Sequence, residues 1–333
     1  MIISKTPYRI SFFGGGSDYP EWYLKNGGAV LSASIDKYIY ISCRYLPPFF
    51  KHKYRIVWSQ IENVKNVNKI KHQAVREMLK LYKINEGLEV HYDGDLPARS
   101  GMGSSSVFIV GLMNLLNNFL GKKMKTKMLA EKSINFEQKI LNEVVGSQDQ
   151  IAAAYGGFNK IIFKKSGRFI INSFSKKKKN LQILNKNLLL VYTGINRTAH
   201  QIAKSYIKKL NTSKKFYISE IKDFVNEGEK LLTKGHLDDF GRLLHESWKI
   251  KKSLSSSISN TSIDEIYNEF INKGALGGKL LGAGGGGFFL FYIPHHMQKK
   301  FINKSRKLIT IPFNFTFEGS KIILNKDNRK IIL

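Results

Sequence analysis

The chain has 333 residues, 54 of them Lys or Arg and 25 Asp or Glu, leaving a formal charge of +29 at pH 7. That length fits two domains or one large one, and a content of 42% apolar and 12% aromatic residues excludes a disordered chain. The single cysteine, Cys43, excludes an internal disulfide framework and a cysteine-rich zinc site, and fits a reducing compartment.

Lys5 and Arg9 fall before any apolar stretch of signal-peptide length, so no export signal is read at the N-terminus. Strand-like stretches follow, notably Tyr38–Arg44 and Arg55–Trp58, then a helical segment near Lys69–Tyr82. Leu88, Val90 and Tyr92 alternate with polar residues, the period of a half-buried strand. Next comes DLPARSGMGSSS (95–106), then apolar Val107–Leu120, which ends at Gly121 in the position of a helix C-cap. Lys127–Leu141 reads as a second helix, and Phe158–Phe163 with Phe169–Phe174 as a hairpin turning at Ser166-Gly167. The basic run Lys176–Lys179 reads as a solvated turn between strands, with a boundary near residue 180. Beyond it are a buried strand at Leu188–Tyr192, helices over most of 198–273, and a glycine cluster leading into a strand at Phe288–Ile293. A helix and a final pair of strands near 308–324 close the chain. Strands and helices mix without a strict βαβ rhythm, which predicts an α+β protein of two lobes.

The longest uncharged apolar run, Leu280–Ile293, is shorter than the ~20 residues that cross a bilayer. The expectation is a soluble, cytoplasmic protein with no membrane partner. Only ten of the 54 basic residues are Arg. The Lys-rich remainder attracts small anions, and without aromatic-flanked basic motifs it predicts no nucleic-acid partner.

Four segments carry chemistry. In Pro97–Ser106 a strand passes through glycines into a helix, whose N-terminus presents unpaired N–H groups and the positive end of its dipole to an anion. Gly101 and Gly103 let the backbone curl against a phosphate, and the serine hydroxyls can reach phosphate oxygens or Mg²⁺. No Gly-Lys-Ser/Thr closes the loop, so it is not a Walker A motif, and the same serines suit a plain N-cap. Thr6–Pro20 is a strand running into Gly14-Gly15-Gly16-Ser17-Asp18, where Asp18 can accept from adjacent sugar hydroxyls or simply cap a glycine turn. Gly277–Gly287 precedes an apolar strand, which marks close passage of another backbone or a tight turn. Glu137 and Asp149 are the fourth element: one carboxylate can hold Mg²⁺ while the other accepts a proton, as phosphoryl transfer requires, and each also suits a solvated surface. His52, His91, His200, His236 and His295-His296 show no metal-ligand spacing, and Trp58 suits packing or the edge of an adenine pocket.

PARSGMGSSS resembles the Pro-x-x-x-Gly-Leu/Met-Gly-Ser-Ser motif of the GHMP kinases, TPYRISFFGGGSDYP their first motif and GGKLLGAGGGGFF their third, in family order across nearly the whole chain. The resemblance implies a two-lobed fold: a ribosomal-protein-S5-domain-2-like lobe over 1–180, binding nucleotide and sugar, and a ferredoxin-like lobe over 181–333. It implies ATP and Mg²⁺ as cofactors and a small-molecule substrate. RISFFGGGSDYP, VVGSQDQIAAAYGGFN, YTGINRTAH and GGKLLGAGGGG look most like the D-glycero-α-D-manno-heptose 7-phosphate kinases. That likeness implies transfer to the anomeric hydroxyl of a sugar phosphate, on the way to GDP-heptose for a surface polysaccharide. An L-fucokinase-like enzyme and a non-catalytic nucleic-acid-binding protein are the alternatives, and a second copy of the chain is left open as a partner.

Carried onto this sequence, the family pattern makes Asp149 the catalytic carboxylate and Arg9 the cation beside it. Ser105 and Glu137 become the Mg²⁺ ligands. Gly101, Met102, Gly103, Ser104, Ser105 and Ser106 line the nucleotide phosphates, supported by Gly284, Gly285 and Gly286. Gly14, Gly15, Gly16, Ser17 and Asp18 hold the sugar. For the acceptor's own phosphate Arg197 is the first candidate, followed by Lys279 and Arg99.

Overall fold

A computed structural model describes residues 1–175, 178–195, 199–299, 301 and 308–326. The chain opens with β1 (Ile2–Phe13), α1 (Pro20–Asn26) and an 18-residue strand β2 (Gly28–Tyr45). The hairpin β3 (Tyr54–Val57) and β4 (Ile61–Val64), α2 (Gln73–Leu81) and β5 (Leu88–Gly94) follow. Next come α3 (Ser104–Phe119), α4 (Thr126–Asn135), α5 (Gln148–Tyr155) and the hairpin β6 (Phe158–Phe163) with β7 (Phe169–Phe174).

These strands and β12 (Lys321–Asn325), from the end of the chain, form one sheet in the order β12-β1-β2-β5-β3-β4, with β6 pairing with β2 and β7 with β6. The length of β2 makes the branch possible: its first third pairs with β6 and its last seven residues with β5. Helices α3 and α5 cover one side of β1, and the later helices reach its far end. That strand is therefore buried without a break from Thr6 to Phe13, polar Arg9 and Ser11 included. Its register against β2 shifts between Pro7 and Arg9 and again between Ser11 and Phe13. Proline offers no ladder N–H, and a bulge there re-aims the next side chains, Arg9 among them.

The second lobe begins with α6 (Lys179–Asn187) and β8 (Leu188–Tyr192), then α7 (Ala199–Ile207), α8 (Lys215–Lys234), α9 (Leu237–Lys252) and α10 (Thr261–Asn272). Strands β9 (Gly277–Leu280), β10 (Phe288–Tyr292) and β11 (Ile309–Ile311) complete an antiparallel sheet of order β11-β8-β10-β9. By sequence that order is 4-1-3-2, the strand order of a ferredoxin-like lobe. Both lobes of the expected α+β fold are present. Aromatic contacts join them: Phe240 of α9 meets Phe12 and Phe13 of β1 edge-on, at 5.5 and 5.0 Å between ring centroids.

Some elements differ from the sequence reading. α1, α5 and α6 do not stand out in composition; each is short, and packing rather than a long apolar period defines it. The basic run leads into α6 rather than joining two strands, although residues 176 and 177 lie outside the described set. Helix α4 ends early, in a π turn over Phe136–Ile140. The final strands are not a pair. β11 adds to the second sheet, while β12 (Lys321–Asn325) returns to the first and pairs with β1.

Candidate active site

A cleft of about 420 Å³ lies where β1, the start of α3, α5, α8, α9 and β9 meet. At its mouth the loop before α3 is built from left-handed backbone: φ is +60° at Arg99, +81° at Gly101 and +79° at Gly103. Gly103 is the N-cap residue and carries no side-chain cap, so the first-turn N–H groups of Ser104, Ser105 and Ser106 lie at the end of a 16-residue dipole. Met102 is wholly buried and pins the loop from beneath.

The third glycine motif backs directly onto this loop. A β-carbon on Gly101 would lie 2.6 Å from the Leu281 carbonyl oxygen, and one on Gly282 would lie 2.5 Å from Gly101 Cα. Phe288 N donates to Ser100 O at 3.2 Å, and a β-carbon on Gly287 would meet the same oxygen. Gly282 and Gly287 are thus the glycines that touch the loop. Gly284 and Gly286 instead pack on the backbones of Ile258 and Ile195, and Gly285 N donates to Ile258 O.

Arg9 and Asp149 meet across the floor. Arg9 Nε and Nη2 donate to the two carboxylate oxygens at 2.7 and 2.8 Å, and Nη1 donates to Gly101 O at 2.9 Å. The fork fixes the carboxylate and ties it to the loop in one residue. Asp149 stands in the first turn of α5, whose preceding turn is closed by Asp18: Gly16 N and Gln148 N donate to its carboxylate, and Ser147 N to its carbonyl. Burial, aided by Asp149, pushes Asp18 up to about 6. Gly15, Gly16 and Asp18 line the cleft, whereas Gly14 and Ser17 serve the turn: Ser17 Oγ bonds the carbonyls of Gly14 and Ala29.

Glu137 occupies the π turn, a helix irregularity that often marks functional sites. It is fully buried and accepts from Ser105 Oγ at 3.0 Å, Ser106 Oγ at 2.7 Å and Gln150 Nε2 at 2.6 Å. Burial outweighs those hydrogen bonds and, with Asp149, raises Glu137 to about 7. No group of three or more His, Cys, Asp or Glu gathers as a metal cage among the described residues. Mg²⁺ binds through one or two carboxylates plus phosphate oxygens and water, and Ser105 with Glu137 supplies an oxygen donor set of that kind.

The structure therefore brings Arg9, Asp18, Gly101, Gly103, Ser104–Ser106, Glu137 and Asp149 to one cleft. Arg197 lies outside the described residues. Trp58 is not in the cleft lining; it packs edge-on to His72 and donates from Nε1 to Glu62. Sequence reasoning missed Lys251, Ser247, Tyr19 and Tyr206, which line the cleft from α9, α7 and the turn after β1. Their only sequence signal was helical phase: Ser247 and Lys251 are four residues apart and share one face of α9.

Residues 68–157 match the family described as GHMP kinases N terminal domain, and residues 229–304 match GHMP kinases C terminal. The chain is 28% identical to the D-glycero-alpha-D-manno-heptose 7-phosphate kinase of Campylobacter jejuni, covering 96% of this chain and 98% of that one. It is 24% identical to the L-fucokinase/L-fucose-1-P guanylyltransferase of Bacteroides fragilis, over 86% of this chain and 34% of that protein. The solved structure of a D-glycero-D-manno-heptose 1-phosphate kinase from Bacteroides thetaiotaomicron has the same fold, with a TM-score of 0.79 and 22% identity, covering 98% of this chain and 100% of that one.

Proposed function

We propose, for a chain that belongs to the GHMP kinase family and is an ATP-dependent sugar kinase, that it phosphorylates the anomeric hydroxyl of D-glycero-α-D-manno-heptose 7-phosphate. The product would be the 1,7-bisphosphate, a precursor of GDP-heptose for a surface polysaccharide, made in the cytoplasm. The acceptor is supported by the heptose 7-phosphate kinase relative, alignable almost end to end.

One observation carries the chemistry. The Arg9–Asp149 fork faces the open N-terminus of α3, with the Ser105–Glu137 pair in the same cleft. Backbone N–H groups at Ser104–Ser106 would bind the nucleotide's phosphates, and Gly101 and Gly103 leave room for them to approach. Ser105 and Glu137 would hold Mg²⁺, which when bound neutralises charge developing on the transferred phosphoryl group. Asp18, with the Gly15–Gly16 backbone, would orient the sugar hydroxyls so that the anomeric oxygen faces Asp149. Asp149 would accept the anomeric proton, a role worth about 10²–10⁴ in rate. Arg9 keeps the carboxylate in one orientation throughout.

A coupled ADP-release assay across heptose 7-phosphate, free heptose, fucose, galactose and mevalonate tests the acceptor, with the first giving the highest kcat/KM. Asp149→Asn is expected to retain nucleotide affinity and lose turnover by at least about 10². An active Asn variant removes Asp149 as the base.

A further inference from the structure

Two ammonium groups in the cleft wall have no role in the chemistry above: Lys279, the sequence's second candidate for the acceptor's phosphate, and Lys251, which the sequence did not single out. Lys279 of β9 is 5% exposed and donates from Nζ to Phe12 O at 2.6 Å. Lys251, in the last turn of α9, donates to Leu280 O at 2.8 Å and Gly282 O at 2.6 Å. Both line the same cleft as Arg9. Among the described residues neither forms an ion pair with a carboxylate, and Arg9 already engages both oxygens of Asp149. An ammonium has three donors, so Lys279 keeps two and Lys251 one beyond these carbonyls.

A fourth group points the same way. Ser11 stands two residues from Arg9 on β1, lines the cleft, is 6% exposed, and its Oγ has no hydrogen-bond partner. It precedes Phe12, whose carbonyl anchors Lys279. An orphaned hydroxyl, a buried cation at Lys279 and a half-buried one at Lys251, both without a carboxylate partner, are costly in a folded wall, and a multiply charged anion answers all three. Apolar stems of the same length would fill the space without that cost.

We propose that Ser11, Lys251 and Lys279, next to Arg9, form a phosphate-dianion subsite in the part of the cleft wall built by β1, α9 and β9. The site rests on the kinase reading, and its dianion has two sources: the acceptor's own phosphate or the phosphoryl group in transfer. Burial first, then the neighbouring cations, hold Lys279 down at about 7 and Lys251 well below the ordinary lysine range. A phosphate between them supplies the missing opposite charge. By residue type Lys251 is no different from Lys249 and Lys252 beside it; its phase on α9, shared with Ser247, turns it into the cleft.

The test uses inorganic phosphate as probe, titrated calorimetrically at constant ionic strength with saturating ADP filling the α3 loop. The wild-type protein binds phosphate, and Lys279→Met or Lys251→Met weakens it by about ten- to a hundredfold, the size of one lost charge-assisted hydrogen bond. Exposed Lys51→Met is the control and leaves it unchanged. Lys251→Gln, which can still donate to a carbonyl, stands in should the Met variant fail to fold. Folded variants that bind phosphate like the wild type overturn the subsite. Kinetics then separate the sources. If the acceptor's phosphate is the ligand, Lys251→Met cuts the preference for heptose 7-phosphate over free heptose by a similar factor. If the transferred group is, kcat falls equally for both sugars. Lost phosphate binding in a protein that phosphorylates neither heptose sinks the acceptor reading and leaves the subsite standing.

Discussion

Alanine at Gly103 asks whether the Asp149 carboxylate must stand where the fold puts it. Gly103 has φ +79°, and a β-carbon there lies 2.9 Å from Asp149 Oδ2 and 3.2 Å from its Cγ. Ordinary contact begins at 3.4 Å, so the carboxylate has to retreat by about 0.5 Å. Its two Arg9 hydrogen bonds, 2.7 and 2.8 Å, then stretch, or the guanidinium is drawn off the Gly101 carbonyl. The left-handed backbone itself costs alanine about 1–2 kcal/mol. Gly121 offers the matched control, with φ +70° and nothing within 4 Å of an added β-carbon. In urea melts both variants should lose about 1–2 kcal/mol, since both bear the same backbone strain. In the ADP-release assay only Gly103→Ala should lose kcat, by about 10²-fold, the usual cost of a small misplacement of reacting groups. A Gly103→Ala enzyme with the control's kcat refutes the reasoning, because the carboxylate's position would then not matter.

Three further outcomes follow from the same geometry. Asp18 is raised from 3.8 to about 6 by burial and by Asp149, so between those values the folded state keeps a proton that the unfolded chain releases. Asp18's share of stability therefore falls as pH rises through that window, by at most about 3 kcal/mol, and Asp18→Asn should make the urea midpoint less steep against pH, leaving the part that Glu137, raised to about 7, contributes; an unchanged slope assigns the effect elsewhere. Glu137→Gln should raise the Mg²⁺ concentration for half-maximal rate by at least about tenfold, since losing even a partner behind a ligand costs about 10–100-fold in metal affinity; the same requirement in both enzymes takes Glu137 out of the metal site. Phe12→Ala empties a wholly buried position that stacks on Phe158 at 5.2 Å and meets Phe240 across the lobes. Denaturant melts should show a loss of about 3–5 kcal/mol, and a loss below 1 kcal/mol would mean that this joint contributes little.

The local instructions for the site were legible in the amino acids. Glycines at 101 and 103 ahead of an apolar run specify a tight turn into a helix, because only glycine enters left-handed backbone cheaply; φ at both positions bears this out. The hairpin at 158–174 followed from two short runs rich in Phe and Ile around a Ser-Gly turn, and its strands end where those runs do. These features depend on neighbours a few residues apart, so a one-dimensional reading reaches them.

Which groups meet was decided only by tertiary structure. Arg9 and Asp149 are 140 residues apart, and their fork depends on a bulge after Pro7 and on α5, a short helix that Asp18 helps to cap. Gly282 and Gly287, rather than Gly284–Gly286, press on the nucleotide-type loop, because the pairing of β9 with β10 sets which carbonyls face Ser100 and Gly101. Two similar-looking terminal strands go to different sheets for the same reason: an edge is filled by whatever backbone the fold delivers to it. Lys251 is the sharpest case. In sequence it is one lysine among three, and its burial against two carbonyls exists only once α9 lies along β9.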